Sequence, residues 1–321
     1  MTSGNRLSPV QQLRELHNRP NEAVAFALKL LTERQSKDVL IPALELLAGY
    51  PHPPARTPLL ALYARYARDK GVHDQGAFLR RAVMAALEPV ARVDDIPMLN
   101  RAVETYEFWP PDFAEDAVLL RASALVALSR VDDELACFHA ARLLVDPYTA
   151  PMTGEPAVTA ARVLGAQGQL TALYLYAMQP ALESEDHGPP WPEVTAECLR
   201  QLTDLPDQLL PGLVARFAES KSAVVRLGLY DLVIHHVVGE AQKMAYLQRF
   251  LAECDDLDCY RYLVMSVAAA GRTELLEVLR AAAGKERDLD RVVILSEAAS
   301  ILGHYPEFRA LAKLLDERLQ K

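Results

Sequence analysis

Leu79-Arg80-Arg81-Ala82-Val83-Met84-Ala85-Ala86-Leu87 returns 41 residues later as Leu120-Arg121-Ala122-Ser123-Ala124-Leu125-Val126-Ala127-Leu128, with Leu, Arg, Ala and Leu in register. Each copy leads into the same turn, Arg92-Val93-Asp94-Asp95 and Arg130-Val131-Asp132-Asp133. An Asp at that place can accept a hydrogen bond from a free N–H at the start of a following helix. Self-similarity at a period of 20–50 residues marks stacked supersecondary units that cannot bury their apolar faces alone.

Working outward, weaker copies begin near Ala157, Ala223, Leu257 and Leu289, and Val224-Val225-Arg226-Leu227 keeps the Val-Arg-Leu core. Apolar residues at helical spacing run through the chain. Leu119, Leu120, Ala124, Ala127 and Leu128 share one face, and Leu135, Phe138, Ala141 and Leu143 share the next. The spacing predicts helix pairs at 76–91 with 94–107, 114–130 with 132–146, 155–167 with 169–182 and 192–204 with 207–219. It continues with 222–238 and 240–253, 257–270 and 272–284, and 288–303 and 305–319. Residues 8–17, 21–34, 37–50 and 56–70 also read as helices, forming a cap and first repeats over 1–75 that continue into 76–321.

These pairs resemble HEAT-like repeats of the degenerate bacterial kind over residues 76–319. The resemblance implies an all-α fold, a right-handed α-α superhelix of about nine helix pairs. It also implies that the recurrent Arg80, Arg121, Arg162 and Arg226 bond an Asp of a neighbouring turn, for which Asp94-Asp95 and Asp132-Asp133 are available.

Composition narrows the function classes. Hydrophobic residues are 51%, charged residues 24%, and the formal net charge is −9. That balance disfavours nucleic acid and anionic membranes as partners, since both select a basic face. No apolar run approaches the 18 residues of a membrane span, and the polar start, Met1 to Pro9, lacks a signal core. The four cysteines, Cys137, Cys198, Cys254 and Cys259, have neither zinc-knuckle nor redox-pair spacing. A cytoplasmic location is the expectation.

Catalytic motifs are absent: there is no Walker loop, GxGxxG, GxSxG, HExxH or CxxC. Neither a cofactor, a metal nor a catalytic residue is expected. His235 and His236 are adjacent, so on a helix they point about 100° apart and read as core or groove residues. The acidic Glu253, Asp255, Asp256 and Asp258 lack calcium-loop spacing and read as a solvated turn. Tyr63, Arg65, Tyr66 and Arg68, and likewise Tyr260, Arg261 and Tyr262, read as amphipathic helix surfaces.

The connections are more informative. Turns within pairs are short, but three successive links between pairs are long and proline-rich: 108–113, 146–156 and 184–192. In a solenoid such links share one edge, about 10 Å apart. They carry both tryptophans. Phe108, Trp109, Phe113, Tyr148 and Trp191, with Asp112 and Asp186, are therefore the candidate partner-binding residues. The competing reading is that each Trp folds back to seal its own helix pair.

The expected function is a non-enzymatic scaffold binding a protein or peptide that carries basic residues beside apolar anchors. The alternative is a nucleic-acid-acting enzyme, because some HEAT-like solenoids are DNA glycosylases for alkylated bases. Their active-site residues have no counterparts that can be mapped here. A role similar to the bilin-lyase HEAT proteins has no residue-specific support.

Overall fold

The computed structural model describes residues 7–16, 18–111, 113–179 and 191–320. The fold is all-α. Eighteen α-helices appear among the described residues. They are α1 (Pro9–Glu15), α2 (Pro20–Thr32), α3 (Lys37–Gly49), α4 (Arg56–Tyr66), α5 (Phe78–Leu87), α6 (Ile96–Val103), α7 (Val118–Ser129), α8 (Asp133–Leu144) and α9 (Ala157–Ala166). Then follow α10 (Leu170–Met178), α11 (Pro192–Arg200), α12 (Leu210–Phe217), α13 (Ala223–His235), α14 (Glu240–Glu253), α15 (Leu257–Ala270), α16 (Thr273–Lys285), α17 (Leu289–Ile301) and α18 (Pro306–Leu319). Each helix expected from periodicity is present. No helix among the described residues is long and apolar enough to cross a membrane.

Local chemistry sets many of the starts. Ser8 and Gln11 exchange reciprocal bonds at α1. Asp132, Ser222, Asp256 and Asp288 accept from free N–H groups at α8, α13, α15 and α17. Proline opens α1, α2, α11 and α18, where its missing N–H costs nothing.

The chain divides into two compact units, Met1–Gln167 and Gly168–Lys321. Residues on both sides of position 75 belong to the first unit, where α3 and α4 both pack on α5. In the first unit α3, α5, α7 and α9 stack in succession, and α7 and α9 also pack on α8 between them. In the second, α11, α13, α15 and α17 stack in one row and α14, α16 and α18 in another. Within each unit, packing of helices on a neighbour and on the next but one fits a solenoid.

The repeated segment supplies the core. Leu79, Val83, Met84 and Leu87 are wholly buried, as are Leu120, Ala124, Leu125 and Leu128. One face differs from expectation. In α8 the buried residues are Ala136, His139, Ala140, Leu143 and Leu144, whereas Phe138 is 70% exposed. Two small alanines let α8 approach α7 and α9 closely, and the larger Phe138 turns outward.

Candidate functional site

The first unit carries a hairpin too short to leave an alternating pattern in the sequence. Strand β1 (Phe108–Trp109) pairs antiparallel with β2 (Ala114–Glu115). The Phe113 N–H donates to the Trp109 carbonyl at 3.0 Å and closes the turn. Phe113 takes a left-handed conformation, φ 52°, which is unfavourable for a bulky residue. Asp112, between them, lies outside the described residues.

Beneath the hairpin sits Arg121 of α7, fully buried. Its guanidinium lies 2.8 Å from Glu115 and 3.3 Å from Asp146, and it donates to the Thr105 carbonyl at 3.0 Å. The Tyr106 ring covers it, with 4.0 Å between the guanidinium carbon and the ring centroid. The Tyr106 hydroxyl donates to Asp146 Oδ2 at 3.0 Å and accepts from Arg142 at 2.8 Å. Burial, and then the Asp146 charge, raise the Tyr106 pKa, so the phenol stays a donor.

Asp146 also builds the next loop. Its Oδ1 accepts the Tyr148 N–H at 2.9 Å, and its carbonyl accepts the Thr149 hydroxyl at 2.9 Å. This turn sets the Tyr148 ring edge-on to Tyr106, at 5.6 Å, and to Phe108, at 5.1 Å. The loops 108–113 and 146–156 therefore meet, as their place between helix pairs implies.

The aromatic edge is open. Phe108 is 39% exposed, Tyr148 47% and Phe113 62%. Trp109 is half-buried, and its indole N–H has no acceptor among the described residues. Comparison with protein-family models, with curated proteins and with solved structures finds no match to this chain. The site must be read from its own chemistry.

Of the third loop, Trp191 and Pro192 are described. Residues 180–190, with Asp186, lie outside the described residues. Trp191 packs within the second unit with 9% of its surface exposed, and its backbone N–H donates to the buried Tyr176 hydroxyl at 3.0 Å. For Trp191 the sealing role expected as the alternative fits this burial, and it offers little area as an anchor.

Arg80 and Arg121 are both buried and paired with carboxylates, but not with those of the expected turns. Arg80 grips Glu107 with two bonds, 2.6 and 2.7 Å, and Asp74 at 3.2 Å. Burial opposes its charge, yet the two carboxylates outweigh that and raise its pKa. Asp95 belongs instead to Arg56, at 2.9 and 2.5 Å, Asp132 caps α8, and Asp133 accepts from Gln167. Arg226 of the second unit does reach an acidic turn, Asp255 at 3.2 Å and Asp256 at 3.0 Å. Asp74 and Glu115 each precede their arginine by six residues, and Glu107 and Asp146 each follow the second helix of the pair. The pairing of Arg80 and Arg121 is thus repeated, but its acids sit in connections.

Among the described residues no cluster of three His, Cys, Asp or Glu side chains could hold a metal ion. His236 ends α13 in an extended conformation and is buried, while His235 is exposed. Cys198, Cys254 and Cys259 are buried free thiols, and burial pushes Cys259 up to about 11, away from nucleophilic use. Sequence reasoning missed Tyr106 and Glu115. The only signal for them was nearness to the aromatic link.

Proposed function

We propose that this chain is a HEAT-like, non-enzymatic interaction scaffold. Its first unit binds a protein or peptide at the edge formed by Phe108, Phe113 and Tyr148, with Trp109 beside them. The observation that carries this reading is three exposed aromatic rings on two loops, locked from beneath by the buried Arg121–Glu115–Asp146–Tyr106 cluster. A rigid, preorganised aromatic surface loses little entropy on binding, and aromatic residues dominate interface energetics.

The partner's chemistry follows from the surroundings. Ring faces and the exposed Asp116 favour an Arg or Lys next to an apolar anchor. The cluster's groups are an arginine, two carboxylates and a phenol turned mainly toward one another, which fixes geometry rather than activating a nucleophile. A cytoplasmic location belongs to the same proposal, supported by four free cysteines.

A displayed peptide library selected on the protein tests it. Enrichment of sequences pairing Arg or Lys with an aromatic or aliphatic residue, lost on a Phe108→Ala/Tyr148→Ala variant, supports the reading. Absence of enrichment, or enrichment that the variant retains, overturns it.

A further inference from the structure

A second feature lies wholly within the second unit. The C-terminal ends of α14 and α16 meet the N-terminal parts of α15 and α17 around a cavity of about 280 Å³. Leu251 and Val278, with three alanines, make its apolar wall. Its polar groups are Gln248, Tyr260, Lys285, Glu286 and Arg291.

Tyr260 is the group that needs explaining. Tyr260 is among the residues that line the cavity and is completely buried, yet its hydroxyl has no hydrogen-bond partner among the described residues. A phenylalanine would fill the same space without stranding a polar atom. Burial, and then the nearby Glu286 charge, raise its pKa, so the hydroxyl keeps its proton and offers a donor. A donor shielded from bulk water is where a bond to an acceptor counts most.

The charges define that acceptor. Arg291 lies with its guanidinium carbon 4.9 Å from the Tyr260 ring centroid, donates to the Cys254 carbonyl, and faces Glu286 at 3.7 Å. Lys285, exposed at the end of α16, adds a second cation. Lys285 and Arg291 stand against the carboxylates of Glu286 and Asp288, beside an unpaired donor and an apolar wall. The volume falls just under the ~300–1,000 Å³ usual for drug-sized ligands.

We propose that this cavity binds a small amphipathic carboxylate. The carboxylate accepts from the Tyr260 hydroxyl and is drawn by Lys285 and Arg291, while the short apolar body lies on Leu251 and Val278. This site is separate from the aromatic edge of the first unit, and its test does not depend on that reading.

The experiment is an NMR titration of the full chain with hexanoate, and with hexanol and hexylamine as neutral and cationic comparisons. The reporters are the Tyr260 ring and the Ala281 and Ala282 methyls. The expected result is saturable shifts with hexanoate, about tenfold weaker binding of hexanol and none of hexylamine. Tyr260→Phe should weaken hexanoate about tenfold, the worth of one charge-assisted bond, while raising the melting temperature of the free protein. Lys285→Gln, at an exposed position, should weaken it about threefold and keeps the test open if the Tyr260 variant misfolds. Equal response to all three probes, no saturation, or hexanoate binding unchanged in both variants overturns the proposal.

Discussion

Gly228 of α13 lies so close to Ala196 of α11 that a Cβ built on it would sit 2.6 Å from the Ala196 Cα and carbonyl oxygen. Backbone atoms cannot yield as a side-chain tip can, so these two helices pack at their closest approach only because position 228 has no side chain. Gly228→Ala should therefore destabilise the second unit, by the upper end of the ~1–3 kcal/mol typical of overpacking, despite the better helix propensity of alanine. Urea unfolding followed by circular dichroism measures this, and a neutral or stabilising result would contradict the close packing.

Arg80 makes a different kind of demand. Removing it as Arg80→Met leaves Glu107 buried without a counter-charge and Asp74 with only the part-exposed Lys37, 3.1 Å away, which should cost about 3–5 kcal/mol. Adding Glu107→Leu to that variant removes one stranded charge and should recover part of the loss. Chemical denaturation of the two variants checks both the size and the sign of the recovery.

Phe113 separates binding from stability. Its left-handed backbone costs a bulky residue ~1–3 kcal/mol, which glycine avoids. Phe113→Gly should leave the melting temperature unchanged or raise it, while weakening a selected peptide about tenfold by loss of an exposed anchor. A variant that loses stability, or binds as well as wild type, would remove Phe113 from the proposed edge.

His236 should make the second unit acid-sensitive. Its Nδ1 accepts the Val238 N–H at 2.9 Å, so protonation there breaks a buried bond. Burial is the largest cause holding its pKa below 6.5, with Lys243 adding to it and the Leu205 carbonyl, Asp207 and Asp204 opposing. A depressed folded pKa means that the unfolded chain binds the proton first. Stability is then complete above pH ~6.5 and falls as pH drops toward the folded pKa, by at most ~1.4 kcal/mol per pH unit for one proton. Comparing urea midpoints at pH 7.5 and 5.5 for wild type and His236→Gln reads this out, and an equal change in both would assign the acid sensitivity elsewhere.

Much of the architecture is legible in the sequence because burial and repetition coincide there. Leu79 and Leu120, Arg80 and Arg121, and Leu87 and Leu128 recur in register and are all buried. Helix ends were readable wherever Asp, Ser or Pro marks them. Three things escaped for definite reasons. In α8 the apolar period alone favoured Phe138, but close packing selected Ala136 and Ala140. Glu107, Glu115 and Asp146 bind the arginines from connecting segments, where periodicity carries no information. Two-residue strands at 108–109 and 114–115 are shorter than any alternation can register. The aromatic edge itself was legible as a composition bias. Its rigidity depends on Tyr106 and Glu115, which no pattern singled out.

The position of the acids has a consequence for copy number. Asp74, Arg80 and Glu107 lie together within one 41-residue period, and the next set opens at Glu115. A segment running from one opening acid to the residue before the next keeps Arg80 with its own acids, but Lys37 and Arg56 reach into it from outside, to Asp74 and Asp95. Doubling that whole segment would repeat the Arg80 set intact but leave the second Asp95 without an Arg56, whereas a cut at any point between Asp74 and Glu107 would break the Arg80 set itself. The charges thus tie each step to the one before it, so a copy number changed by one step must carry the preceding cation along.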